Sequence, residues 1–319
     1  MELLIAVDIG GTKVRIGAFS AANLEEVIKV KDYASGSYPG LTPILQDYLK
    51  QFPDKPKAIA IGIAGPVEGR RVTVTNLPWS VDAAEVATIC SDADVFLLND
   101  LEAHAWGVGL LRPNAGLICL HPGVTRVGNR ALIAAGTGLG EANLFWDGQR
   151  HIPSASEGGH TSFAPTTNDD VELLQYLWKQ SAAHVSWERI VSGSFGLPSI
   201  YQFWQNKLRG ASLRTAEEVF AAAADGDATG VAAMRMFARL YGAEAGNLAL
   251  KSMAVGGIYL GGGIAPKILS WLKGPDFMVG FTSKGRFQEL LEKIPIHIID
   301  DPYNALRGAA RCAVSKISR

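Results

Sequence analysis

Paired cysteines are missing from this chain: it has three, Cys90, Cys119 and Cys312, far apart and in no CxxC or Cys/His spacing. That excludes a disulfide framework and a zinc knuckle, and leaves three thiols expected in a reducing compartment. An excess of either charge is missing too, with 30 Lys and Arg against 31 Asp and Glu. A nucleic-acid or anionic-membrane binder carries a basic footprint, so a small diffusible ligand is expected instead, with neither nucleic acid nor membrane as partner. No apolar run approaches the roughly 20 residues of a bilayer span, and no basic leader precedes Leu3-Leu4-Ile5-Ala6-Val7, so a cytoplasmic protein is expected. No GxxxxGK[ST] run occurs, which excludes a P-loop.

What is abundant is glycine, 35 of 319 residues, gathered in short clusters where average usage is about 7%. Between the clusters, short runs rich in Val, Ile and Ala alternate with helical patterns, which argues for α/β architecture. Strands are expected at Leu3 to Val7, Ala58 to Ile63, Val95 to Leu98, Ala131 to Ala135 and Ile258 to Leu260. Helices are expected at Pro43 to Phe52, Ala83 to Ile89, Leu101 to Leu111, Val171 to Gln180, Ala216 to Ala223, Ala228 to Lys251 with breaks, and Ala305 to Val314. Thr42-Pro43 and Thr215 have the chemistry of helix starts. Trp178, Phe203 and Trp204 sit at helical spacings and are expected in the core. At 319 residues the chain is long enough for two lobes, joined near residues 100 and 300 by single strands or helices.

One internal match stands out. Leu4 to Thr12 resembles Leu132 to Gly140, at 132 minus 4, an offset of 128 residues, each a buried strand running into a glycine turn and a second strand. A duplicated α/β unit with two glycine turns facing a cleft would give that pattern.

In Asp8-Ile9-Gly10-Gly11-Thr12-Lys13 the glycines let backbone N–H groups approach phosphate oxygens, Asp8 can hold Mg2+ through water, and Thr12 can donate its hydroxyl; an ordinary hairpin turn reads the same way. Gly136-Thr137-Gly138-Leu139-Gly140 has the same two readings. Its GxGxG also invites a dinucleotide site, which Glu141 disfavours by occupying the place of the third fingerprint glycine. Gly261-Gly262-Gly263-Ile264-Ala265-Pro266 can lie flat against an adenosine or serve a close strand–helix contact. Asn99-Asp100 ends a strand ahead of a helix, where capping is the ordinary job. Glu157, His160 and Glu188 sit on loops. Together with Asn99 and Asp100 they form a set that accepts from and donates to vicinal hydroxyls, as a sugar site requires. His104, His151 and His184 show no such partners in sequence and are read as structural or surface residues.

Taken in order, these stretches, with Phe163-Ala164-Pro165, Ser192-Gly193 and Lys284-Gly285-Arg286-Phe287, resemble the bacterial glucokinases of the sugar kinase, Hsp70 and actin superfamily over nearly the whole chain. The resemblance implies a two-lobed, actin-like (ribonuclease H-like) sugar kinase fold with a duplicated α/β unit and a central cleft. It assigns residues 1–105 with 302–319 to a small lobe and 106–301 to a large one. It also implies ATP and Mg2+ as cofactors, glucose as substrate, and a homodimer. Asp100 would be the general base, with Asn99, Glu157, His160 and Glu188 on glucose. Asp8 to Lys13 and Gly136, Thr137 and Gly138 would take the phosphates, and Gly262 and Gly263 the adenosine. No cysteine-rich motif follows His160, which points to the zinc-free branch. Ser192-Gly193-Ser194-Phe195-Gly196 departs from the turn expected of better known members, and the loop shape there is open. A repressor of the same superfamily would need a DNA-binding module, and a filament or chaperone would not need the Asn99, Asp100, Glu157, His160 set.

Overall fold

Leu3–Ile9 is apolar at every position but Asp8, so the strand it forms has no face suited to water. In the computed structural model, which describes residues 2–317 except 76, 91–92, 181–182, 210–211 and 213–214, both faces are covered. Leu3, Ile5, Val7 and Ile9 enter one core with Ile59, Ile61 and Ile63, while Leu4 and Ala6 enter another with Ala309, Ala310 and Ala313. The chain divides into two compact units, Met1–Ala115 with Pro153–Ala155 and Asp301–Arg319, and Gly116–Ile152 with Ser156–Asp300.

The first unit contains strands β1 (Leu3–Ile9), β2 (Lys13–Ser20), β3 (Lys29–Ala34), β4 (Ala58–Ile63), the ribbon β5 (Arg71–Thr73) and β6 (Ser80–Asp82), then β7 (Asp94–Asn99) and the short β8 (Arg112–Pro113). Its five-stranded sheet runs β3-β2-β1-β4-β7. The first two pairings are antiparallel, and β1, β4 and β7 are parallel. Helices α1 (Leu41–Leu49), α2 (Ala83–Ile89) and α3 (Asp100–Val108) follow the chain, and the last helix, α12 (Asn304–Ile317), packs on α3.

Beyond it come β9 (Gly116–His121), β10 (Arg130–Ala135), β11 (Leu139–Trp146), β12 (His151–Ser156), β13 (Ile258–Gly261) and β14 (Ile296–Ile299), in a sheet ordered β12-β11-β10-β13-β14-β9-β8. Its first five strands repeat the order of the first sheet, and β11, β10, β13 and β14 repeat its directions. The duplication expected from sequence is therefore real in topology, but its register differs from the offset of 128. Ile9 pairs with Val14, and Ala135 with Leu139. In the parallel direction Asp8 lies opposite Gly62, and Ala134 opposite Gly261. These pairings make Gly10 and Gly136 counterparts. The sequence match had followed turn composition, and the second turn is one residue shorter.

The helices of the second unit are α4 (Asn168–Lys179), α5 (Gly196–Leu208), α6 (Ala216–Ala224), α7 (Ala228–Ser252), α8 (Ile264–Lys267), α9 (Leu269–Leu272), α10 (Pro275–Thr282) and α11 (Gln288–Glu292). Four expectations are corrected here. Helix α7 is unbroken, because Gly242 and Gly246 serve as landing points for α10: a Cβ on either would overlap the carbonyl of Phe277 or Phe281. Helix α1 begins at Leu41 with Gly40 as its cap, and Thr42 instead donates to Glu85 at 2.8 Å. Helix α4 begins before its apolar pattern does, since Thr167 and Asp170 form a capping box around a polar first turn. Trp178 is 55% exposed, although Phe203 is buried as expected and Trp204 half-buried. Thr215 caps α6, in a box with Glu218.

Candidate active site

In an open parallel sheet, ligands gather at the carboxyl ends of the strands. Strands β1, β4 and β7 end at Ile9, Ile63 and Asn99, which brings the Asp8–Lys13 turn and the start of α3 to one edge of the first unit. Within the turn, Gly10 N donates to Lys13 O at 2.9 Å. Buried Ser35 straps it, donating from its N to Thr12 O at 3.1 Å and from its Oγ to Gly10 O at 3.1 Å. Among the described residues the N–H groups of Gly11 and Thr12 donate no hydrogen bond, so both are available to an anion. Lys13 reaches Asp32 at 3.2 Å, and Arg15 holds Asp32 through two hydrogen bonds of 2.7 and 2.9 Å.

The cap of α3 is Asn99, not Asp100. Asn99 Oδ1 accepts from Leu101 N at 2.9 Å and Glu102 N at 3.4 Å, and its amide donates to Gly65 O at 3.2 Å. Asp100 is the first residue inside the helix, its Oδ1 accepting from Leu101 N at 2.9 Å. One turn on, His104 shares the electrostatic environment of Asp8. Burial raises the Asp8 carboxyl above its ordinary range, against the pull of His104, Arg15 and Lys13. Burial also lowers the His104 imidazole, against Asp8 and Asp301. His104 is tied to the last helix, its Nδ1 3.2 Å from Asn304 Nδ2 and its carbonyl accepting from the same amide at 2.9 Å, which is the structural role read from sequence.

The second unit gathers the other candidates. Its turn closes with Gly136 N donating to Gly138 O at 2.9 Å, and Gly136 O accepts from Gly193 N at 2.8 Å. Ser194 N donates to Thr137 O at 3.4 Å, so the departing Ser192 to Gly196 loop still buttresses the turn. Among the described residues the N–H groups of Thr137 and Gly138 donate no hydrogen bond. Glu188 lies directly over this turn, where a Cβ on Gly138 would overlap its Oε1, and its backbone N donates to Gly159 O at 2.8 Å. His160 Nδ1 stands 3.5 Å from Glu188 Oε2, and His160 Nε2 stands 3.8 Å from Glu157 Oε2. His184, read as without partners, sets its Nε2 2.9 Å from the His160 carbonyl. Edge-on packing of Phe163 and Trp187, with ring centroids 5.0 Å apart, and the bond from Trp187 N to Thr161 O at 3.0 Å steady the loop from behind. Gly262 presses on the Ala135 carbonyl, where a Cβ would overlap, while Gly263 faces open space. The glycine turn, the sugar-type carboxylates and the third glycine cluster therefore form one contiguous set in this unit.

Among the described residues no three His, Cys, Asp or Glu side chains could together hold a metal ion. That suits Mg2+ arriving with phosphates and water, which needs one or two protein carboxylates. Asp8 fits that need: burial disfavours its charged form, its carboxyl accepts no hydrogen bond among the described residues, and a nearby cation would favour the ionised form.

A family model described as Glucokinase matches residues 5–316. The glucokinase of Trichormus variabilis is 38% identical, covering 98% of this chain and 99% of its own length. A glucokinase structure from an Antarctic psychrotroph superposes with a TM-score of 0.88 at 29% identity, covering 99% of each chain. At 21% identity, a ROK family glucokinase from Streptomyces griseus in complex with glucose and AMPPNP shares the fold, with a TM-score of 0.68 and coverage of 98% of this chain and 99% of its own. With a match this complete, the chain belongs to the glucokinase family of ATP-dependent sugar phosphotransferases.

Proposed function

We propose that this protein transfers the γ-phosphoryl group of ATP to the 6-hydroxyl of glucose. The observation that carries the reading is the His160 imidazole flanked by Glu157 at 3.8 Å and Glu188 at 3.5 Å, with Glu188 seated on the Gly136 to Gly138 turn. Carboxylates and an imidazole that can both accept and donate suit vicinal hydroxyls, and free turn N–H groups beside them suit phosphate.

In this reading Asn99, Asp100, Glu157, His160 and Glu188 bind the sugar. Asp100 takes the proton of the attacking hydroxyl, held at the helix start by the Asn99 cap. The Asp8 to Lys13 and Gly136 to Gly138 turns direct N–H groups at the phosphates, and Gly262 and Gly263 give a flat floor for the adenosine. Asp8 holds Mg2+ through water, and the ion neutralises charge on the transferred phosphoryl group. Phosphoryl transfer asks mainly for positioning, which is what these loops supply. The two compact units, Met1–Ala115 with Pro153–Ala155 and Asp301–Arg319, and Gly116–Ile152 with Ser156–Asp300, serve in this reading as the small and large lobes expected at residues 1–105 with 302–319 and at 106–301. The enzyme works in the cytoplasm as a homodimer and feeds glycolysis; size-exclusion chromatography with light scattering tests the dimer.

Incubation with ATP, Mg2+ and glucose should yield ADP and glucose 6-phosphate in equal amounts. Failure to form the sugar phosphate, with folded protein and a panel of hexoses, would remove the proposal.

A further inference from the structure

Glu141 lies on β11 opposite Ile133, with 1% of its surface exposed. Its counterpart in the first sheet is Ile16, opposite Val7 on β1 and wholly buried. One sheet thus buries a carboxyl where its sister buries an isoleucine. Such a substitution is costly unless the group is paired or neutral, and the fold alone gives no reason for it.

Two segments close around this carboxyl, and a third reaches its neighbour Glu244. Gly158, in the sugar-type loop, rests on Glu141 Oε2 so closely that a Cβ there would overlap it. From α7 comes Glu244, fully buried, whose Oε2 accepts from Asn247 Nδ2 at 2.7 Å and whose Oε1 accepts from Lys251 Nζ at 3.3 Å. Lys284 opens the Lys284 to Phe287 stretch, for which the reaction gives no role. It donates to Asn247 Oδ1 at 2.7 Å and to Ala243 O at 2.9 Å. With two donors on Glu244, the negative charge settles there and the proton on Glu141, whose Oε1 accepts from no donor among the described residues. Burial, and then the charge of Glu244, push the Glu141 carboxyl up to about 8, with Lys251 opposing. Burial raises Glu244 as well, against Asn247 and Lys251, and it lowers the Lys284 amine, against the attraction of Glu244.

We propose that Glu141 is a positioning residue for sugar recognition: its buried carboxyl, packed under Gly158 and beside Glu244, supports that glycine and so sets where Glu157 and His160 meet the sugar. The inference rests on the reading that this loop binds glucose. When Glu141 loses its proton, two adjacent carboxylates face each other with Lys251 and Lys284 as the nearby cations. The support under Gly158 then moves.

The test measures glucose affinity by calorimetry, and KM for glucose and for ATP, at pH values from about 6 to about 9.5 for the parent protein, E141Q and E141A. In the parent, glucose Kd and KM should rise together by about ten-fold across the alkaline limb, while KM for ATP stays within about two-fold. E141Q, neutral at every pH, should keep the neutral-pH glucose affinity throughout. E141A should weaken glucose binding at all pH values. If E141A does not fold, the E141Q profile decides alone. An alkaline loss that persists in E141Q, or a parent with no alkaline loss, would overturn the inference. A parent that binds no glucose at any pH would instead remove the substrate reading on which it rests.

Discussion

Replacing Asp100 by Asn separates the proposed base from the cap, because the cap of α3 is Asn99. Asn99 Oδ1 receives Leu101 N at 2.9 Å and Glu102 N at 3.4 Å, so the cap survives the substitution intact. The bond from Leu101 N to Asp100 Oδ1, 2.9 Å, can be remade by the amide oxygen. What disappears is one negative charge in the first turn of α3, worth about 0.3–1 kcal/mol against the helix dipole. The urea midpoint should therefore fall by less than it does in Asn99→Ala. Turnover is another matter, since an amide cannot take a proton from the sugar hydroxyl. A lost general base typically costs roughly 10^2 to 10^4 in rate. The matched control is Asn99→Ala, which removes the cap and the bond to Gly65 O at 3.2 Å and should cost about 1 kcal/mol, with up to about 2 in a protein host. Both variants would be measured in a coupled assay at saturating glucose and ATP, beside urea unfolding. Turnover by Asp100→Asn within ten-fold of the parent would refute the reasoning, as would a stability loss equal to that of Asn99→Ala.

Three further outcomes follow from the geometry. Gly138→Ala places a methyl group on Glu188 Oε1, so KM should rise for glucose as well as for ATP, by about ten-fold or more; a rise for ATP alone would separate the turn from the sugar carboxylate. Asp170, fully buried, accepts from Arg239 Nη1 at 3.2 Å and from Thr166 N and Thr167 N at 3.0 Å, and Asp170→Ala should cost about 3–5 kcal/mol in urea unfolding, with a loss under about 1 kcal/mol contradicting it. Burial works against the Asp170 charge, yet Arg239 and Thr166 hold its carboxyl below the usual range, so its contribution is present above the ordinary carboxylate pKa of about 3.9 and is lost as pH falls through the depressed value. Glu141 has the opposite sign: its raised folded value gives a contribution that is full below about pH 4.3 and declines by about 1.4 kcal/mol per pH unit until the carboxyl ionises near 8. Urea midpoints of E141Q should show that slope flattened, and an unchanged slope would mean that Glu141 is charged when buried.

Much of this was legible because the strongest sequence signals are also the strongest physical ones. Ala58–Ile63 is buried on both faces, and an unbroken run of small and branched apolar residues allows little else. The start of α4 was illegible for the converse reason, since Asn168-Asp169-Asp170 carries no apolar period and is held by a capping box instead. Helix α7 looked interrupted because glycine lowers helix propensity by about 1 kcal/mol, but the backbone contacts with α10 at Gly242 and Gly246 outweigh that loss. Trp178 has the spacing of a core residue on α4 and lies 55% exposed, since periodicity reports a face without saying whether anything covers it. For the site, the loop carboxylates and His160, which do lie together, were readable as one group. The nearness of Asp8 to His104 was not, because it depends on the parallel pairing of β1 with β4 and β4 with β7, which no local pattern encodes.

The duplicated sheets carry the last step, since the pairings align positions that the sequence match at offset 128 did not. Asp8 faces Gly62 in one sheet, and Ala134 faces Gly261 in the other. At this position only the first unit carries a carboxylate. The second unit has a methyl group there, and its turn is shorter by one residue and crossed by Glu188. The same alignment sets Glu141 against Ile16: the carboxyl missing from the strand end of the second unit reappears inside it, under the loop that carries Glu157 and His160. The first unit therefore carries its acid at the strand end beside its glycine turn, and the second buries its acid inside the sheet, under Gly158.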